Sequence, residues 1–110
     1  MRRIALVLML WPVAAAAHDW TPLTGGEIAD LLSGHGVVFD GVRQRFDGSG
    51  ATVLEVSPPR RGKWRVRGDA YCTVIPPLTS WTCYRVESVH GEMVRFTGPG
   101  GASVEGVVIP

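Results

Sequence analysis

The side chains in this chain best suited to chemistry are few: two cysteines, three histidines, one serine in a glycine-rich turn, and a cluster of basic and aromatic residues. Cys72 and Cys83 stand in a C-x10-C spacing with no third cysteine and no histidine between them. That pattern lacks a zinc ligand set and reads as a disulfide. If residues 76–80 turn the chain, the flanking strands run antiparallel, with Cys72 opposite Cys83, Val74 opposite Trp81 and Ala70 opposite Arg85. Directly opposed residues at a non-hydrogen-bonded site have Cα atoms roughly 4.5 Å apart, within disulfide reach.

The densest charge feature is Arg60-Arg61-Gly62-Lys63-Trp64-Arg65-Val66-Arg67. It could form an anion-binding face or meet an acidic partner. Strand alternation alone also accounts for it: Trp64 and Val66 face in, while Lys63, Arg65 and Arg67 face water. Arg43 and Arg45 alternate in the same way, and sharing a sheet face with Arg65 would make a basic stripe. Trp20, Trp64 and Trp81 are expected in the core or plugging a barrel. Trp64, Trp81 and Tyr84 could also line a small apolar pocket. Asp47-Gly48-Ser49-Gly50 has the look of a calcium or phosphate loop, but Ala51-Thr52-Val53-Leu54 supplies no further ligands, so a hairpin turn is expected. Ser49, Arg65, Trp64 and Trp81 are the expected ligand or partner contacts.

Catalysis has no good candidate. No serine occupies a strand–turn–helix elbow, the cysteines are expected to be oxidised, and the acids are scattered one per turn. His18 would chelate copper through its amine and imidazole if it began the mature chain, as in copper-brace proteins. Only His35 and His90 could complete such a site, and each lies beside a glycine in a loop. Neither a metal nor a cofactor is expected, and neither is enzymatic activity.

These residues must be positioned by short elements. Thr24 and Glu27 have the spacing of a capping box, with Leu23 and Ile28 as its hydrophobic staple. Ile28, Leu31 and Leu32 share one helical face, and Gly34 and Gly36 end the helix after about three turns. Beyond it, β-prone runs alternate with tight breaks: 37–39, 42–46, 51–56, 63–67, 70–75, 81–87, 93–97 and 103–109. The expected fold is mainly β (α+β): one short N-terminal helix packed on an antiparallel meander or small β-barrel of about six to eight strands.

The N-terminus sets the compartment. Met1-Arg2-Arg3, an apolar run from Ile4 to Trp11, and Ala15-Ala16-Ala17 form the three parts of a secretory signal peptide. Residues 1–17 are therefore expected to be removed, leaving a single β-rich domain over 18–110. Cleavage removes two of the eleven basic residues, so nine face ten acidic ones and the net charge becomes −1. That argues against nucleic-acid binding. No second stretch is long and apolar enough for a membrane span, and the expected location is periplasmic or secreted.

The order of motifs supports a likeness. The sequence Leu23-Thr24-Gly25-Gly26-Glu27-Ile28, then Gly62-Lys63-Trp64-Arg65-Val66, Tyr71-Cys72 and Trp81-Thr82-Cys83-Tyr84 resembles a group of small exported proteobacterial proteins of unknown function. The resemblance implies export and a lipocalin-like or small-barrel shape, and carries no functional residues. Gly48-Ser49-Gly50-Ala51 also partly resembles a loop of the periplasmic lysozyme inhibitors, although Thr52 and Val53 follow where that family places a tyrosine. The functional expectations are a non-enzymatic binding or interaction protein of unknown specific function, an inhibitor of a cell-wall hydrolase such as lysozyme acting through the 47–51 loop, or a carrier of a small apolar ligand; the partner is unknown, with another exported protein or a small apolar ligand as the candidates.

Overall fold

The computed structural model describes residues 19–110; the signal-like segment and His18 lie outside the described residues. Strand β1 (Thr21–Pro22) precedes helix α1 (Gly25–Leu32). There follow β2 (His35–Phe39), β3 (Val42–Phe46), β4 (Ala51–Glu55), β5 (Arg60–Arg67), β6 (Ala70–Val74), β7 (Thr82–Val89), β8 (Met93–Thr97) and β9 (Ser103–Ile109). Strands β2 to β9 form an antiparallel meander that closes on itself through β2 and β9. The result is an eight-stranded barrel, to which β1 adds two pairs along β7. Closure leaves no exposed edge among the eight strands, which removes the usual template for edge-to-edge aggregation.

The helix begins as the capping-box spacing predicts. Thr24 Oγ1 accepts the Glu27 backbone N–H at 3.3 Å, and the Thr24 N–H donates to Glu27 Oε1 at 2.8 Å. It is two turns long rather than three, because Ser33 caps it and Gly34 turns the chain at φ +78°. Gly36 belongs to β2, not to the stop signal. The Gly25 N–H donates to Asp69 Oδ1 at 2.8 Å, tying the helix to the β5–β6 turn. Only glycine fits at position 25, since a Cβ there would collide with the Gly68 carbonyl oxygen. Ile28 and Leu32 are fully buried, so the apolar face of α1 plugs the barrel end that carries the β3–β4, β5–β6 and β7–β8 turns.

Inside, the pleat of each strand turns every second residue inward. Phe46, Trp64 and Tyr71 make an aromatic column from the plug toward mid-barrel, with centroids 5.5 Å apart for Phe46–Trp64 and 5.7 Å for Phe46–Tyr71. Tyr71 continues to Phe96 at 5.2 Å and stacks on Tyr84 at 5.7 Å. Cys72 pairs with Cys83 in the β6–β7 ladder, as the turn at 76–80 requires, and the two are disulfide-bonded on the outer face. The ladder ends at Thr73 and Thr82, so Trp81 lies just before β7 rather than within it.

Candidate functional site

The helix closes one end of the barrel; the other end is a cup. A cavity of about 210 Å³ opens there, at the end carrying the β2–β3, β4–β5, β6–β7 and β8–β9 connections. Its floor is Gln44, Tyr71 and Phe96, all buried. Its walls are Phe39, Leu54, Thr73, Ile75, Tyr84 and Val104, all half-buried. Each strand supplies its inward residue at the right height because the ladders hold Val66 opposite Tyr71 and Tyr71 opposite Tyr84. Strand β5 contributes only Gly62 at this level, where a Cβ would meet the Val74 carbonyl and Ile75. Ile75 thus packs over β5 and completes the rim.

The floor carries a polar network. Thr52 Oγ1 donates its hydrogen to the Arg45 carbonyl at 2.7 Å. It must therefore accept from Gln44, whose Nε2 lies 2.9 Å away. The same nitrogen donates to the Tyr71 hydroxyl at 3.3 Å. Burial pushes the Tyr71 phenol up to about 12, against the opposing pull of hydrogen bonds with Thr73 and Gln44.

That shift has a pH consequence. The folded state keeps the neutral phenol while the unfolded chain ionises near pH 10. The stabilisation is fully present below about pH 10 and is lost as pH rises toward 12, for a total near 2–3 kcal/mol. Urea unfolding followed by circular dichroism at pH 8, 10 and 11.5 is expected to show this decline. Tyr71→Phe is expected to flatten it, and an equally steep decline in that variant would refute the assignment.

A second feature lies on the outer face. A shallow groove of about 470 Å³ is lined by Ser49, Gly50, Ala51, Gly62, Lys63, Trp64, Arg65 and Trp81. It adjoins one of about 440 Å³ that shares Gly62, Lys63 and Trp81 and adds Arg61, Val74 and Pro76. All four contacts expected from the sequence thus border one depression, but they do not present equal surfaces. The Arg65 guanidinium stacks 4.0 Å from the Trp81 ring centroid. Trp64 turns its indole inward, and its Nε1–H donates to the Asp47 carbonyl at 2.8 Å. Ser49 is exposed, but on a tight turn in which its N–H donates to Asp47 Oδ2 at 2.9 Å. The Ser49 hydroxyl and N–H together hold the Asp47 carboxyl below its usual range.

The expected apolar pocket of Trp64, Trp81 and Tyr84 does not form. Only Tyr84 lines the cup. Trp81 shares the parity of Cys83 and therefore points outward, and Trp20 lies against the Arg95 guanidinium at 4.4 Å rather than in the core. The basic stripe is also broken up: Arg43 pairs with Glu55 at 3.5 Å and Arg45 donates to the Pro110 carbonyl at 3.2 Å. Arg61, Lys63, Arg67 and Arg85 have no ion-pair partner among the described residues. His35 Nδ1 lies 3.0 Å from the Ser33 carbonyl, and among the described residues no three His, Cys, Asp or Glu side chains gather into a metal-binding group.

Sequence reasoning passed over Phe39, Gln44, Leu54 and Phe96 as a set. The signal that could have found them was the inward parity of Trp64 and Val66, carried from strand to strand through the tight turns. No helix among the described residues is long and apolar enough to cross a membrane. Comparison of the chain with protein-family models, curated proteins and solved structures found no match.

Proposed function

We propose that this protein is an exported, non-enzymatic binding protein that carries a small apolar molecule in the open end of its barrel. The observation that carries this reading is the 210 Å³ apolar cup opposite the helix plug. Eight strands enclose an interior just wide enough for side chains or for one small ligand, and here the helix side is filled while the mouth is not. A cavity of about 150 Å³ lined by apolar side chains accommodates benzene, so the cup suits one aromatic ring or a fused pair. Export to the periplasm or medium is supported by the signal-like segment at 1–17 and by the Cys72–Cys83 disulfide, which belongs in an oxidising compartment.

The test is a titration of the purified protein with toluene, followed by methyl resonances. Shifts are expected at Leu54, Ile75 and Val104, with the methyl groups of the plugged end, such as Ile28 and Leu32, unmoved. Saturable shifts confined to the outer groove, or none at all, would contradict the carrier reading.

The outer groove supports a second reading, in which an acidic exported protein docks against Arg61 and Lys63. The absence of ion pairs at these cations among the described residues favours it.

A further inference from the structure

The cup is not uniformly apolar, and one polar side chain of its floor is incompletely satisfied. Gln44 is 5% exposed and lines the cavity. The Thr52 hydroxyl spends its hydrogen on the Arg45 carbonyl, so the atom facing Thr52 has to be the Gln44 nitrogen. The reverse amide orientation would set two acceptor oxygens against each other at 2.9 Å. With the amide so fixed, both Nε2 hydrogens are engaged, one on Thr52 and one on Tyr71. Gln44 Oε1 has no hydrogen-bond partner among the described residues.

A buried acceptor without a partner costs about 1–3 kcal/mol. A ligand that brings a donor to the floor removes that cost, whereas an apolar ligand of the same shape seals it in. We infer that the cup selects small aromatic molecules bearing one N–H or O–H group, which donates to Gln44 Oε1. This inference rests on the reading of the cup as the ligand site. The chemistry it names is that of simple indoles and phenols: a flat apolar body for the walls of Leu54, Ile75, Tyr84 and Val104, and a single donor for the floor. The sites able to reject the wrong ligand are those with such unpaired groups, because an analogue lacking the donor leaves them unsatisfied.

Indole and indene share size and shape and differ at one N–H, so the pair isolates the donor. Their dissociation constants are to be measured on the wild-type protein and on Gln44→Met, which keeps side-chain length and removes the acceptor. The preference for indole relative to indene is expected to fall about tenfold in the variant. If both ligands bind and the ratio is the same in the two proteins, the inference is overturned while the carrier reading stands. If neither ligand binds the wild type, the carrier reading itself fails. Should Gln44→Met not fold, the wild-type complex decides. The bound indole N–H proton is expected to move downfield and show a nuclear Overhauser contact with the Gln44 side-chain amide, and an unshifted proton without that contact overturns the inference.

Discussion

Truncating Trp64 to alanine is expected to lower the unfolding free energy by about 3–5 kcal/mol, the range for removing a buried aromatic from a core. Trp64 is 6% exposed and sits where the helix plug meets the aromatic column, edge-on to Phe46 at 5.5 Å. Its backbone N–H donates to the Gly50 carbonyl at 2.9 Å and its indole N–H to the Asp47 carbonyl. One residue thereby fastens the β3–β4 turn to the middle of β5. Single domains have about 5–15 kcal/mol of stability, so the variant is expected to be marginal. Trp64→Phe keeps a ring and loses the N–H. It should cost less than the alanine variant, with about 1 kcal/mol of its loss due to the missing hydrogen bond. Urea unfolding of the three proteins measures this order, and a loss below 1 kcal/mol in Trp64→Ala would show that the residue does not anchor the core.

Removing the disulfide is expected to have the next largest effect. The double variant Cys72→Ala/Cys83→Ala should lose about 3 kcal/mol, the magnitude for a short closed loop. The bridge joins directly paired residues of β6 and β7 across a separation of 11 residues, so it restricts the unfolded chain around the 76–80 loop without adding core. Cys72 is fully buried although it lies on the outer face, and Arg65 pairs with it in the ladder. Urea midpoints with and without reductant check this. The wild type is expected to weaken on reduction and the double variant to be unaffected. Equal midpoints for oxidised wild type and double variant would show that the ladder alone holds the hairpin.

Much of this architecture was legible in local chemistry. The Thr24–Glu27 capping box, the inward parity of Trp64 and Val66, and the opposition of Cys72 and Cys83 each follow from spacing within one element or one turn. Barrel closure was not, because it depends on β2 meeting β9 across most of the chain, and no local signal encodes that pairing. Trp64 lies in the core as its parity requires, whereas at Trp81 parity outweighs hydrophobicity. With Tyr84 inward, Trp81 must point out, and Arg65 then covers its face. The cup was recoverable in part. The tight turn at Gly68-Asp69 sets Arg67 opposite Ala70 and hence Val66 opposite Tyr71, which turns Tyr71 and then Tyr84 inward. The inward position of Gln44 follows from the outward alternation of Arg43 and Arg45 but runs against its polarity, which Thr52 and Tyr71 satisfy by receiving its amide hydrogens.

The central claim is that the unplugged end of the barrel holds a small apolar ligand, and filling that space tests it most directly. Val104 is a half-buried wall of the cup on β9, and Val104→Trp places an indole where the ligand would sit. Affinity for indole is to be measured calorimetrically on wild type and variant, with circular dichroism confirming that both are folded. A saturable, one-to-one isotherm for the wild type and at least a hundredfold weaker binding by folded Val104→Trp are expected; equal affinity in the two proteins, or no binding by the wild type, would contradict the claim.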